Sequence, residues 1–290
     1  RGNLTTGQDL ILEADRLDAQ GQLIAGRDLT LKAQDTVTIR DTVTTPFLAQ
    51  SGRDLTVQGD RGIDILALNH PGNALQSGGN LSLISDGVIS GDAHFSSGGQ
   101  FQIRSVSGGL ATFTSLYDPI ISSSGNVDIA AGYTGASLLI ESQGSVRIQG
   151  DVFIDAPDTV SNFVGNDAIL STQPGLIIRS GQTNLVYGGT NQNNPLVFTN
   201  STVPAGITLD GAVQVQPNAN GGVVRLTADN GGITFHSIDA SSITGQNGGN
   251  IELTATGDIK NTGSFRDPRF LDVDPEDPFL EFYMPRSQLF

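Results

Sequence analysis

One glycine-led segment recurs along this chain, and the recurrence limits the fold more than any other feature. Gly7-Gln-Asp-Leu-Ile-Leu-Glu-Ala14, Gly26-Arg-Asp-Leu-Thr-Leu-Lys-Ala33 and Gly52-Arg-Asp-Leu-Thr-Val-Gln-Gly59 align without a gap. The pattern continues as a first apolar column of Leu10, Leu29, Leu55, Leu81, Phe101, Val127, Val146, Leu176, Ile207, Val224 and Ile251. A second apolar column lies two residues on, from Leu12, Leu31 and Val57 to Leu226 and Leu253. Two residues later every position is small, as at Ala14, Ala33, Gly59, Ser85, Ser105, Ala131, Gly150, Ser180, Gly211, Ala228 and Ala255.

A spacing of two places these residues on one face of a β-strand, not on a helix. Successive first-column residues lie between 17 positions (Ile207 to Val224) and 31 positions (Leu176 to Ile207) apart. Each interval holds two or three short strands, and Val37-Thr-Ile39, Ile63-Asp-Ile65 and Ile233-Thr-Phe235 read as further strands within it. No segment of helical period intervenes to carry a βαβ crossover. The expected fold is therefore all-β, a right-handed parallel β-helix of about eleven coils. Stacked coils put equivalent residues about 4.8 Å apart, so the columns become ladders. Glycine followed by Asp9, Asp28, Asp54, Asn80, Asn126 or Asn250 is expected to supply a positive-φ turn before the strand. Small third-column residues are expected to line a crowded corner.

Residues 1–265 form the expected solenoid, with excursions near 151–174 and 182–204 where the intervals lengthen. Such loops on a rigid scaffold are the candidate functional segments, and Gly188 to Asn194 reads as a loop tip. Residues 266–290 abandon the repeat, with Pro268, Pro275, Pro278 and Pro285 among Phe270, Phe279, Phe282, Tyr283 and Phe290. They are expected to cap the open coil or to dock a following domain or neighbouring subunit.

A net charge of -15 repels a phosphate backbone and argues against nucleic acid as a partner. The absence of cysteine excludes disulfides and thiolate metal sites. No run approaches the roughly 20 apolar residues of a membrane helix. The sequence starts at Arg1 without a signal-peptide pattern and reads as a piece of a longer protein.

The stretch from Leu12 to Ala33 resembles the repeats of filamentous-haemagglutinin-like exoproteins of the two-partner secretion type. The likeness is close over about the first 60 residues and extends as a pattern over most of 1–265. It implies a secreted bacterial protein of the cell surface or exterior, exported through an outer-membrane partner transporter, with roles in adhesion or cell–cell contact. A glycan or protein receptor is the implied partner. Those proteins carry Asn-Pro-Asn motifs in their secretion domain, which Asn194-Pro195-Leu196 does not match, so this stretch resembles a downstream rod section. The resemblance supplies no catalytic residue, cofactor or metal ligand.

His70, His94 and His236 are too dispersed for a local metal motif, although coils bring distant positions together. A column of Asp9, Asp28 and Asp54 offers oxygen ligands for calcium, yet it lacks the glycine-rich calcium-repeat spacing, and solvated turns are the simpler account. Asp151, Asp155 and Asp158 could supply a carboxylate pair for glycoside hydrolysis. Outward Thr and Ser, as in Leu29-Thr-Leu31 and Leu253-Thr-Ala255, offer a polar lateral face. The expected function is a non-enzymatic extracellular adhesin rod, with a β-helical polysaccharide lyase or glycoside hydrolase as the alternative.

Overall fold

The computed structural model describes residues 2–117, 119–188, 203–215, 221–241 and 248–263. Alternating apolar and polar residues form short strands, and glycine, serine or aspartate separates them. The first full circuit is Leu10–Ala14, Leu17–Ala19 and Gln22–Ala25. The next is Leu29–Ala33, Thr36–Arg40 and Leu48–Ser51. Each strand pairs with its equivalent one circuit later, Leu10 with Leu29, Leu17 with Val37 and Leu23 with Ala49. Among the described residues every registered strand pair is parallel. The chain is a right-handed parallel β-helix with three long faces.

The rungs of the first face are Leu10, Leu29, Leu55, Leu81, Phe101, Val127, Val146, Ile207, Ile233 and Ile259. Those of the second are Leu17, Val37, Ile63, Ile89, Phe113, Tyr133, Val152, Val213 and Ile238. The third carries Leu23, Ala49, Leu75, Phe95, Ile121, Ile140, Ile178, Leu226 and Leu253. This sorting corrects the single first column read from sequence. Leu176, Val224 and Ile251 stack above Leu138 on the third face, whereas Val146 is followed on the first face by Ile207. Strands of both faces present the same apolar, apolar, small pattern, so spacing alone cannot tell one from the other.

Away from the two ends of the described rod the interior rungs are buried, with Leu29, Leu55, Leu81 and Phe101 at 0% exposure, whereas Leu10 and Leu253 are partly covered and Ile259 is exposed. Removing each such side chain from water contributes roughly 1.5–3 kcal/mol gross. Aromatics stack between rungs, Phe95 edge-on to Phe101 with centroids 5.6 Å apart and Phe113 tilted on Tyr133 at 5.2 Å. Gly91 makes room for them, because a Cβ there would meet the rings of Phe113 and Phe95.

The turn glycines act differently from the expectation. Gly26, Gly52, Gly78 and Gly98 are absent from the positive-φ glycines, which include Gly21, Gly108, Gly181 and Gly206. They are required by stacking: a Cβ on Gly26 would lie 2.5 Å from the carbonyl oxygen of Gly7, and one on Gly52, Gly78 or Gly98 would meet the equivalent oxygen one circuit earlier. The Asp and Asn positions also have an inter-coil role. The Asp28 N–H donates to Asp9 Oδ1 at 3.2 Å, Asp54 N–H to Asp28 at 3.1 Å, Asn80 N–H to Asp54 at 2.8 Å and Gln100 N–H to Asn80 at 2.9 Å. Each side chain thereby satisfies the first backbone donor of the coil above it.

At the far end of the third face stands a column that the sequence reading did not separate out: Ser51, Ser77, Ser97, Ser123 and Ser142, all buried. Their hydroxyls donate to corner carbonyls, Ser77 to Gly79 at 2.9 Å, Ser123 to Gly99 at 2.8 Å and Ser142 to Gly125 at 2.5 Å. Ser180, Ala228 and Ala255 continue this column and not the first-face corner. The first-face corner itself is tight: Ala33 and Ala131 are fully buried, and a Cβ on Gly59, Gly150 or Gly211 would strike backbone. The proposed terminal cap or docking segment, residues 266–290, lies outside the described residues, as does most of the loop tip from Gly188 to Asn194.

Candidate functional site, a lateral cleft on the third face

One outward column of the third face becomes apolar and buried in three consecutive circuits. His94 pairs with Ile120, Ile120 with Leu139 and Leu139 with Ile177, forming one outward column. Ile120, Leu139 and Ile177 are nearly fully buried, together with Leu170, in a second apolar cluster against which Phe163, Ile169 and Tyr187 pack. The cover comes from the two excursions of a single circuit. Val152–Ala156 is a regular second-face strand, so the first excursion starts at residue 157 and ends where Gly175–Ser180 begins the third face. It contains a short 3-10 helix, Gly165–Ser171. The second leaves after Ser180 and returns before the strand Gly206–Val215.

Carboxylates hold this cover down. Glu141 is 1% exposed, accepts the Ser122 hydroxyl at 2.8 Å, and receives the N–H groups of Val186 at 3.0 Å and Tyr187 at 2.7 Å. Asp167 accepts Arg179 Nη2 at 2.5 Å and the Tyr187 hydroxyl at 3.0 Å. That hydroxyl also receives the Val164 N–H at 3.1 Å, which joins the two excursions. Burial pushes the Tyr187 phenol up to about 12. Asn73, 5% exposed, donates from Nδ2 to the Tyr187 carbonyl at 3.0 Å. Asn73 precedes a third-face strand four rungs before Gly175–Ser180, so the second excursion reaches back about 19 Å along the rod.

Among the described residues a cleft of about 390 Å³ opens at His94. Its floor is His94 with Gln76, the turn His70 to Asn73 forms one wall, and Val160 to Asn162 with Val186 to Gly188 forms the other. His70 accepts the Gly72 N–H at Nδ1, 3.1 Å, which places the ring proton on Nε2. Gln76 Nε2 donates to the Asn73 carbonyl at 2.7 Å.

The dispersed histidines thus separate into two that meet and one that does not. His70 and His94 share the cleft, whereas His236 is exposed on another part of the rod. The acidic trio does not assemble as a pair facing a substrate. Asp151 sits at a corner and accepts the Ala212 N–H at 2.8 Å, Asp155 is exposed on the second-face strand, and Asp158 is fully buried, accepting the Val160 and Ser161 N–H groups. Asp9, Asp28 and Asp54 form the expected column, but their oxygens take backbone N–H groups and the guanidiniums of Arg27 and Arg53. Among the described residues no group of three His, Cys, Asp or Glu is arranged to hold a metal ion, and no helix is long and apolar enough to cross a membrane.

Glu141, Asp167, Tyr187 and Asn73 escaped the sequence reading. A partial signal for the docked cover was present, because Pro119-Ile-Ile121, Leu138-Leu-Ile140 and Leu176-Ile-Ile178 lose the polar alternation of strands such as Leu29–Ala33 and Leu55–Gly59, as strands covered on both faces do. The same run at Leu10-Ile-Leu12 leaves Ile11 exposed, so the pattern alone does not locate the cover. Compared with family models, curated proteins and solved structures, the chain matches none.

Proposed function

We propose that this chain is a structural rod of a secreted bacterial surface protein of the filamentous-haemagglutinin-like kind, mediating attachment or cell–cell contact through a glycan or protein receptor. The observation that carries the reading is the continuity of the inter-coil ladders. Backbone pairs, Asp and Asn acceptors, stacked glycines and buried serines link one circuit to the next on every side. A structure held this way is stiff along its axis and presents whatever its flanks carry. The excursions from one circuit are the main departure from the repeat, so they and the cleft beside them are the recognition surface. Export through an outer-membrane partner transporter accompanies this reading.

The alternative, a polysaccharide lyase or hydrolase, needs an acid and a base converging on an open cleft. The carboxylates beneath and within the cover, Glu141, Asp158 and Asp167, instead accept hydrogen bonds from groups of the excursions, Val186, Tyr187, Val160 and Ser161. The purified chain, applied to whole cells and a glycan array beside a polysaccharide-degradation screen, tests the reading. Saturable cell binding without product release is expected. Product release with no cell binding would overturn it in favour of the enzyme.

A further inference from the structure

We propose that the lateral cleft is a binding site for a neutral saccharide unit, contacted by His70, Asn73, Gln76 and His94. The inference deepens the surface-rod reading and rests on it for the setting in which such a ligand is met.

The lining itself selects the class of ligand. In a chain with 30 acidic and 15 basic residues, the described residues lining this cleft include no Asp, Glu, Lys or Arg. A phosphate, carboxylate or ammonium entering it would lose water without meeting an opposite charge, which disfavours charged ligands. What the cleft offers is amide and imidazole groups between apolar edges, its Ser161 and Tyr187 hydroxyls being bonded to Asp158 and Asp167. The Asn73 and Gln76 nitrogens are engaged within the protein, at Tyr187 O and Asn73 O. With the nitrogens so engaged, the amide oxygens are the groups left to accept from a ligand. The His70 Nε2–H is a donor that needs an acceptor. A hydroxyl is both at once, and adjacent hydroxyls on a ring satisfy groups of both kinds. Pro71, Val160 and Val186 give the walls apolar surface for the C–H edges of the ring. The volume of about 390 Å³ falls at the lower end of small-molecule sites, roughly 300–1,000 Å³.

A peptide is disfavoured by the floor. Extended peptides are recognised through the open backbone edge of a sheet. Here the floor strand Leu75–Ser77 is paired on both sides, with Leu48–Ser51 and with Val88–Ser97. Only its side-chain face is presented, so recognition runs through side chains.

The site is assembled from parts that a rod without excursions would lack. Asn73 is tied to Tyr187, and Tyr187 is tied to Glu141 and Asp167. Docking of the excursions therefore sets the width between the walls before any ligand arrives, which lowers the ordering cost of binding.

The chain's three histidines make the test specific, because their ring-proton NMR signals report the cleft twice and a remote site once. Methyl glycosides of glucose, galactose, mannose and N-acetylglucosamine are titrated into the whole chain, beside glucuronate and inorganic phosphate. At least one neutral glycoside is expected to shift the His70 and His94 signals saturably while His236 stays fixed, with the charged probes producing no saturable shift. Gln76→Ala and His70→Ala should each weaken that binding about tenfold, the loss of one well-made hydrogen bond. Unchanged His236 signals and melting temperature show that the variants remain folded. Neutral glycosides that leave His70 and His94 unmoved, or shift all three histidines alike, would overturn the inference. So would glucuronate or phosphate binding as tightly. Cell attachment that persists when the cleft is silent would sink this inference and spare the rod reading; sugar binding without cell attachment would do the reverse.

Discussion

The stacked glycines make a prediction in which one substitution has opposite signs at two copies of the same motif. Gly7 and Gly52 both precede an Asp-Leu strand by two residues. Neither has a positive φ, so alanine is conformationally acceptable at both and should stabilise by about 0.4–1 kcal/mol through the unfolded chain. At Gly7 that gain stands, because nothing lies within 4 Å of an added Cβ. At Gly52 the Cβ would overlap the Gly26 carbonyl oxygen, and the coils on either side are fixed by the Asp54 N–H to Asp28 bond at 3.1 Å and the Gly52 N–H to Ala25 O bond at 3.0 Å. Overpacking of this kind costs about 1–3 kcal/mol. Subtracting the same unfolded-state gain leaves Gly52→Ala destabilising by roughly 0–2.6 kcal/mol, with Gly7→Ala on the other side of wild type. Urea unfolding followed by circular dichroism reads the midpoint. Amide hydrogen exchange at Asp54 and Asn80 reads the local loosening even if the solenoid does not unfold in one step. A Gly52→Ala chain at least as stable as Gly7→Ala, with unchanged exchange, would refute close coil approach as the reason for these glycines.

Three further outcomes follow from the same contacts. Asp54→Ala removes the acceptor of the Asn80 N–H and should cost about 0.5–2 kcal/mol by analogy with a helix N-cap, whereas Asp54→Asn should restore most of it; urea midpoints of the pair decide this. Replacing residues 157–174 by a short glycine turn should leave the ladders intact but expose Ile120, Leu139 and Ile177, so concentration-dependent association is expected in analytical ultracentrifugation, and a strictly monomeric variant would contradict the docked cover. Burial raises the Tyr187 pKa above its unfolded value of 10.0 to about 12, so its contribution is fully present below pH 10 and is lost as pH rises towards 12. Phenolate absorbance and histidine NMR signals followed together should show late tyrosine ionisation and loosening of the cleft in that window; a Tyr187 that ionises at its unfolded value would argue that the ring is not buried against the excursion.

How much of this was legible depended on whether a residue's partner lies one circuit away or several. The rungs Leu29, Leu55 and Leu81 were readable because each meets its own equivalent, and a repeat makes equivalents visible. The face change at Leu176 was not, because the identity of a face is fixed by how many strands intervene, and the first excursion hides that count inside a long interval. The turn glycines were located correctly and explained wrongly: a sequence shows that a side chain is absent, but the carbonyl excluding it belongs to another coil. Glu141 was the least accessible. Its partners Val186 and Tyr187 are 45 and 46 positions away, in an excursion that has no equivalent elsewhere in the repeat.

That difference also separates what makes the rod from what gives it a site. Ladder contacts such as Asp54 to Asn80 tolerate replacement by another Asx residue, since the same acceptor geometry recurs at Asp9, Asp28 and Asn80. The contacts of the cover do not recur. Glu141, Asp167 and Asn73 each engage Tyr187 or its backbone in a unique arrangement, and the three outward apolar rungs beneath serve only that arrangement. A rod alone has no need to bury Ile120, Leu139 and Ile177 under its own loops, because polar residues there would be solvated without cost, as Gln22, Arg225 and Glu252 are at the equivalent position of other circuits. The apolar rungs and the buried carboxylates together fix the position of the excursions against the third face. The feature this positioning defines is the cleft at His94, with one wall supplied by the cover and the other by the turn from His70 to Asn73.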